Sequence, residues 1–185
     1  MSATIIGDFA GKPIETSRMP GHWVLARLGK RVLRPGGREL TRRMLDALAV
    51  NHGDRVIEFA PGLGETTRYV LDETVAEYTG IERDVHASEW LNRRFVGTRA
   101  RFIHGSAAQT ELPSGCASVL WGEAMLSMQP ASQKEQIVRE AARLLVPGGR
   151  YAIQSCAWGP MAFLPGCAKI LRQSCRGTFM WACVR

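Results

Sequence analysis

Residues 151–185 contain no Asp or Glu, and no pair of the five cysteines is spaced C-x-x-C. An odd number of cysteines does not make a secreted disulfide framework, and their spacing matches no zinc pattern. The four histidines, His22, His52, His86 and His104, are scattered without metal-ligand spacing, so no metal site is expected. A long hydrophobic run is also missing. Tyr151 to Ala168 is uncharged, but Gly159, Pro160, Pro165 and Gly166 interrupt it. That excludes a spanning helix and predicts a strand followed by a loop. The first residues include Asp8 and carry no basic segment ahead of an apolar run, so no cleaved signal is expected. A reducing, cytoplasmic setting follows. Neither an internal repeat nor a low-complexity linker divides the chain.

What is present suits one globular domain. The chain has 185 residues, 45% of them hydrophobic. Its net charge of +7 is uneven. Residues 1–55 carry ten basic and five acidic side chains, residues 56–150 ten and twelve, and residues 151–185 four and none. The basic stretch from Arg18 to Arg43 is opposed only by Glu39. Such a stretch can attract nucleic acid, an anionic surface or an acidic substrate. Its plainer reading is a solvated helical face, because Trp23 is its only aromatic and a single-strand groove needs several.

Hydrophobic periodicity predicts helices over Pro20–Leu33 and Arg38–Val50, which together would form an N-terminal cap, residues 1–53. From Asp54 strands and helices alternate. Strands are expected at Arg55–Ala60, Glu77–Ile81, Ala100–His104, Ser118–Trp121 and Arg150–Ser155. Helices are expected at Glu65–Asp72, Val85–Phe95 and Ser132–Leu145, the last capped by Ser132 with Glu135 as its capping-box partner. Pro147-Gly148-Gly149 should end that helix. The pattern predicts a parallel sheet covered on both faces over residues 54–155. Residues 156–185 form a short tail with room for a short helix at Ala168–Gln173 and one strand at Gly177–Val184. That leaves a sheet edge open near the fifth strand.

The informative segment is Glu58-Phe59-Ala60-Pro61-Gly62-Leu63-Gly64-Glu65, between a predicted strand and a predicted helix. Glycines there let the backbone turn tightly and approach a ligand. Glu82 follows at the end of the second strand, where a carboxylate can accept bonds from both hydroxyls of a ribose. A dinucleotide site would want three glycines. Here Ala60 stands at the first position and Thr67 in the third place.

These residues resemble the class I S-adenosylmethionine-dependent methyltransferases over about Arg55 to Ser155. Val56 to Gly64 looks like that family's first motif and Gly80-Ile81-Glu82-Arg83-Asp84 like its second. His104-Gly105-Ser106-Ala107 resembles the segment beside the adenine, with Ser106 where the family often has Asp. Ala117 to Ala124 resembles the fourth-strand motif, and Ala141 to Arg150 the helix–Pro-Gly-Gly–strand segment. The resemblance implies a single three-layer Rossmann-like domain, residues 1–185, with a mostly parallel sheet and an N-terminal helical lid. It implies S-adenosylmethionine as cofactor. Glu58 would help hold the methionine end, Ala60, Pro61, Gly62 and Gly64 would shape the turn, and Glu82 with Arg83 would lie at the ribose. Ser106 and Ala107 would lie beside the adenine.

Methyl transfer from a sulfonium needs chiefly a positioned nucleophile. Glu123, at the end of the fourth strand, is the candidate to orient or deprotonate the acceptor, against a plain hydrogen bond within its loop. Met125 and Met128 are candidates for an apolar pocket wall, against core packing. The Asn/Asp-Pro-Pro-aromatic motif of amino-methylating nucleic-acid enzymes is absent. The expected acceptor is therefore a small molecule, apolar or anionic. The rival readings are a non-catalytic cofactor-binding protein, whose tail has been shortened, and a nucleic-acid methyltransferase using the basic helices.

Overall fold

The computed structural model describes residues 34, 36–72, 75–155, 169–175 and 178–184, with backbone alone for Ser155 and the last two stretches. The expected helix at Pro20–Leu33 and the cysteines Cys156 and Cys167 lie outside them. The elements run α1 (Gly37–Leu48), β1 (Arg55–Phe59), α2 (Glu65–Asp72), β2 (Glu77–Glu82), α3 (Val85–Arg94), β3 (Ala100–His104) and β4 (Ala117–Glu123). A 3₁₀ turn (Leu126–Met128), α4 (Ala131–Leu144), β5 (Leu145–Ser155), β6 (Lys169–Cys175) and β7 (Thr178–Val184) follow.

The strands form one sheet in the order β3-β2-β1-β4-β5-β7-β6. The first five are parallel, and β7 runs antiparallel between β5 and β6. Successive strand side chains face opposite ways, so the parallel strands are apolar on both faces. Val56, Tyr78, Phe102, Val119 and Trp121 pack with the helix residues Leu40, Met44, Val70, Trp90 and Leu91. Ile57, Phe59, Ile81, Leu120 and Ile153 pack on the other face with Ile137, Val138, Ala141 and Leu144 of α4. The result is three layers. α1 buries its apolar stripe, and its first half reaches the mouth of the sheet, where Thr41 donates to Glu123 at the end of β4.

Three expectations are corrected. α4 begins one residue early, because Pro130 takes the N-cap position at φ −64°. Ser132 then lies inside the helix, no side chain caps it, and Glu135 pairs with Arg139 instead. The helix ends at Leu144, and Pro147-Gly148-Gly149 lies inside β5, where the register against β4 shifts between Ala117 and Val119. The tail holds two strands, not a helix and one strand. Each needs seven residues and only residues 176 and 177 separate them, so about thirty residues suffice. β7 covers the edge of β5, and β6 is the outer strand. Among the described residues no helix is long and apolar enough to cross a membrane.

Candidate active site

The chain adds β2 and β3 on one side of β1, then returns to add β4 on the other. The loops after β1 and β4 therefore diverge and leave a crevice at the carboxyl ends of the strands. A cavity of about 370 Å³ lies there. Glu58, Ala60, Pro61, Gly62, Glu82, Arg83, Ser106, Ala107 and Glu123 all line it. Of the residues expected at the site, only Gly64 does not line it.

The turn after β1 is made from left-handed backbone. Ala60, Gly62 and Gly64 have φ of 55°, 58° and 66°. Ala60 holds this conformation despite its Cβ, with its N–H bonded to the Ile81 carbonyl at 2.9 Å. Gly64 has a packing role. A Cβ there would lie 2.6 Å from the Phe95 ring and 2.9 Å from Leu91. It sets how closely the turn approaches α3 and does not face the cavity.

Glu82 is buried, and its carboxylate ties two loops together. Oε2 accepts from the Gly62 N–H at 3.2 Å and Oε1 from the Asp84 N–H at 3.1 Å. Burial raises its pKa, and those two backbone bonds pull it back. Each oxygen keeps a lone pair for a ligand hydroxyl. Asp84 caps α3 by accepting from the N–H groups of His86 and Ala87. The Ser106 hydroxyl accepts from the Ala108 N–H at 3.2 Å, which fixes the loop after β3.

Glu58 is 2% exposed. Tyr78 donates to its Oε2, and Thr67 approaches the same atom at 3.4 Å and the Tyr78 hydroxyl at 2.9 Å. Burial, then the nearby Glu123 charge, push its pKa up to about 8. The Tyr78 hydroxyl is raised well above its ordinary value, so it stays a donor. Sequence reasoning missed Tyr78 and Thr67. The signal was the β1–β2 pairing, in which Val56 lies opposite Tyr78 and Glu58 opposite Gly80, placing Glu58 and Tyr78 on one face.

Glu123 stands at the end of β4 with both oxygens engaged. Oε1 accepts from the Thr66 hydroxyl, and Oε2 from the Thr41 hydroxyl at 2.6 Å and from Arg34 Nε. Arg34 Nε also donates to Thr41 Oγ1 at 2.6 Å. This cluster joins α1, α2 and β4. Arg34 lines the cavity, and its Nη2 is buried without a hydrogen-bond partner among the described residues. Sequence reasoning saw Arg34 only as one cation of a basic stretch. The described members of that stretch are largely matched: Arg38 lies 3.7 Å from Glu65, Arg43 pairs with Glu39, and Arg42 lies over the Tyr69 ring. Opposite this end, Met125 and Met128 line the cavity with Ile137, and Met128 is 67% exposed. Among the described residues no cluster of His, Cys, Asp and Glu is built to hold a metal.

Residues 56–149 match the family model described as a methyltransferase domain. The chain belongs to the class I S-adenosylmethionine-dependent methyltransferases. S-adenosylmethionine is the cofactor of this family. The chain is 30% identical to an uncharacterized protein of Haemophilus influenzae over 70% of its own length and 53% of that protein's. It is 30% identical to the 27-O-demethylrifamycin SV methyltransferase of Amycolatopsis mediterranei, over 62% of this chain and 43% of the relative. This methyltransferase chain thus spans about half the length of those curated relatives. Its fold is that of the Burkholderia thailandensis 1,6-didemethyltoxoflavin-N1-methyltransferase, solved with bound 1,6-didemethyltoxoflavin and S-adenosylhomocysteine. The TM-score is 0.62 at 15% identity, with 80% of this chain and 77% of that one covered.

Proposed function

We propose that this domain binds S-adenosylmethionine in the cavity after β1, β2 and β4 and transfers its methyl group to a small molecule seated against Met125, Met128 and Ile137. The observation that carries the reading is the convergence of Glu58, Gly62, Glu82 and Ser106 on one cavity bounded by that apolar wall. A cavity of this size is in the range that holds a small organic ligand, about 300–1,000 Å³. The cofactor, when bound, supplies the reactive carbon and the leaving group. Glu82 accepts from the ribose hydroxyls, the Gly62 turn lets the backbone come close, and Ser106 with Ala107 lies along the adenine. Glu58 faces the amino group of the methionine end.

Glu123 orients rather than deprotonates. Two hydrogen bonds, from Thr41 and Thr66, and the ion pair to Arg34 commit it to this cluster and leave one lone pair of Oε1 unengaged. That favours an acceptor whose nucleophilic atom is already deprotonated at neutral pH. An apolar wall of Met125, Met128 and Ile137 suits an organic molecule better than a polynucleotide. The pairing of Arg38, Arg43 and Arg34 with carboxylates supports the same choice. The small-molecule relatives above agree with it.

The test is release of S-adenosylhomocysteine from S-adenosylmethionine in the presence of a panel of small phenols, thiols and carboxylic acids. Turnover with an apolar member, reduced about tenfold or more in kcat/KM by Met128→Glu, is expected. Turnover with RNA or DNA and with no small acceptor would overturn the reading.

A further inference from the structure

Tyr78 is a wholly buried residue whose polar atom the proposed function leaves unused. Its ring centroid lies 5.8 Å from that of Phe102 and 6.3 Å from that of Trp121. A phenylalanine would fill that space without burying a hydroxyl, so the hydroxyl needs a reason of its own. It donates to Glu58 Oε2 and lies 2.9 Å from Thr67 Oγ1. A tyrosine oxygen that donates to one partner can accept from another, so the chain of donors runs from Thr67 to Tyr78 to Glu58. Three elements, α2, β2 and β1, thus meet at one carboxyl. Gly80 lies beside Glu58 in the register and presents no side chain, which leaves Tyr78 as the β2 group that reaches it.

Glu58 lines the cavity, and with Oε2 engaged its Oε1 is the oxygen left for a ligand. The groups that act on this carboxyl oppose one another. Burial and then the Glu123 charge favour its protonated form, while Tyr78, Arg34 and Trp121 favour the ionised one. Trp121 Nε1 is buried with no hydrogen-bond partner among the described residues. A neutral carboxyl attracts an ammonium weakly, and an ionised one needs donors to hold it once water is excluded. From this arrangement we infer that Tyr78 is a positioning residue for recognition of the cofactor's amino group: its hydroxyl, held by Thr67, fixes Glu58 Oε2 and stabilises the carboxylate that meets the ammonium. On binding, the Glu58 proton leaves to solvent and the ammonium keeps its own. The inference rests on the cofactor reading above and adds to it the group that readies Glu58 for its ligand.

The experiment is calorimetric titration of wild type and Tyr78→Phe with S-adenosylhomocysteine and with methylthioadenosine, a nucleoside thioether that lacks the amino-acid end. Both ligands are titrated at pH 7 and at pH 9, with a thermal melt of every variant. Phenylalanine keeps the ring and deletes only the donor. Without that donor Glu58 holds its proton more tightly, so Tyr78→Phe should bind S-adenosylhomocysteine about 10-fold or more weakly at pH 7, the range for one bond to a charged group. The gap should narrow by about fivefold or more from pH 7 to pH 9, because wild-type Glu58 is by then already ionised while the variant still gains carboxylate. Methylthioadenosine carries no ammonium, so its affinity should change by less than about twofold at either pH. If Tyr78→Phe does not fold, Thr67→Val decides. It leaves Tyr78 without its own donor and should weaken S-adenosylhomocysteine at pH 7 by about twofold or more, with methylthioadenosine unaffected.

Equal affinity of wild type and the folded variant for S-adenosylhomocysteine at pH 7 would overturn the inference. An equal loss of both ligands would overturn it too, because Tyr78 would then only support the walls of the crevice. So would a gap that stays constant from pH 7 to pH 9, since the hydroxyl would then not act through the ionisation of Glu58. Failure of folded wild type to bind either ligand would instead sink the cofactor reading, and this inference with it.

Discussion

At the scale of single residues, Glu58 connects burial to chemistry. Its carboxyl holds a proton up to about pH 8, whereas the same group in an unfolded chain loses it near 4.5. The folded chain therefore binds more protons than the unfolded one between those values, and this residue's contribution to stability falls as pH rises across that window. A bound ammonium reverses the preference by stabilising the carboxylate. Binding of S-adenosylhomocysteine at pH 7 should therefore release a proton. Calorimetry in two buffers of different ionisation heat should show an observed enthalpy that depends on the buffer. The dependence should fade above about pH 8 and vanish in Glu58→Gln. A buffer-independent enthalpy at pH 7 in wild type would contradict the assignment. The acidic residue was legible in the sequence as the one ahead of the glycine turn. Its protonation was not, because that depends on Tyr78 and Thr67, which lie 20 and 9 residues away.

At the scale of elements, β5 shows where sequence reading succeeds and stops. Its apolar second half was legible as a buried strand. Its start was not, because Pro147-Gly148-Gly149 has the composition of a helix stop and yet sits inside the strand. What fixes β5 is tertiary. Arg150 donates through Nη1 to the Leu48 and Ala49 carbonyls at 2.6 and 2.8 Å, and through Nη2 to Asp54. Asp54 also accepts from the Ser118 hydroxyl at 2.7 Å. One guanidinium thus joins the end of α1, the entry to β1 and the start of β4. Arg150→Ala removes three bonds and leaves a largely buried Asp54 unpaired by Arg. It should cost about 2–4 kcal/mol by urea unfolding. Because this cluster lies at the amino ends of the strands, cofactor affinity in the folded variant should change less than about twofold. A loss of under 0.5 kcal/mol would show that the cluster does not hold the layers together. The hairpin of β6 and β7 was under-read for a related reason: short strands with a two-residue separation leave little room for turn signals.

At the scale of the whole molecule, the order of strands does most to place the site. The sequence announced five strands alternating with helices, and the structure joins them into a parallel sheet with β4 on the far side of β1. The chain reversal there opens the crevice, and the carboxyl ends of β1 to β4, with the turns that follow β1, β2 and β3, bring the expected residues to it. Motif spacing made Glu58, Gly62, Glu82 and Ser106 legible because each is tied to a strand end. Arg34, Thr41 and Thr66 were not, because they meet Glu123 from 57 or more residues away and carry no local pattern. Gly64 was legible for the turn, yet its reason is the Phe95 ring. The central claim is that this crevice is a nucleoside–amino-acid site held by Glu82. The direct measurement is calorimetric titration of S-adenosylhomocysteine into wild type and into Glu82→Ala, with both shown folded. The account predicts saturable binding by wild type and a loss of about 100-fold in the variant, from two charge-assisted bonds to the ribose. Equal affinities, or no binding by the folded wild type, would contradict it.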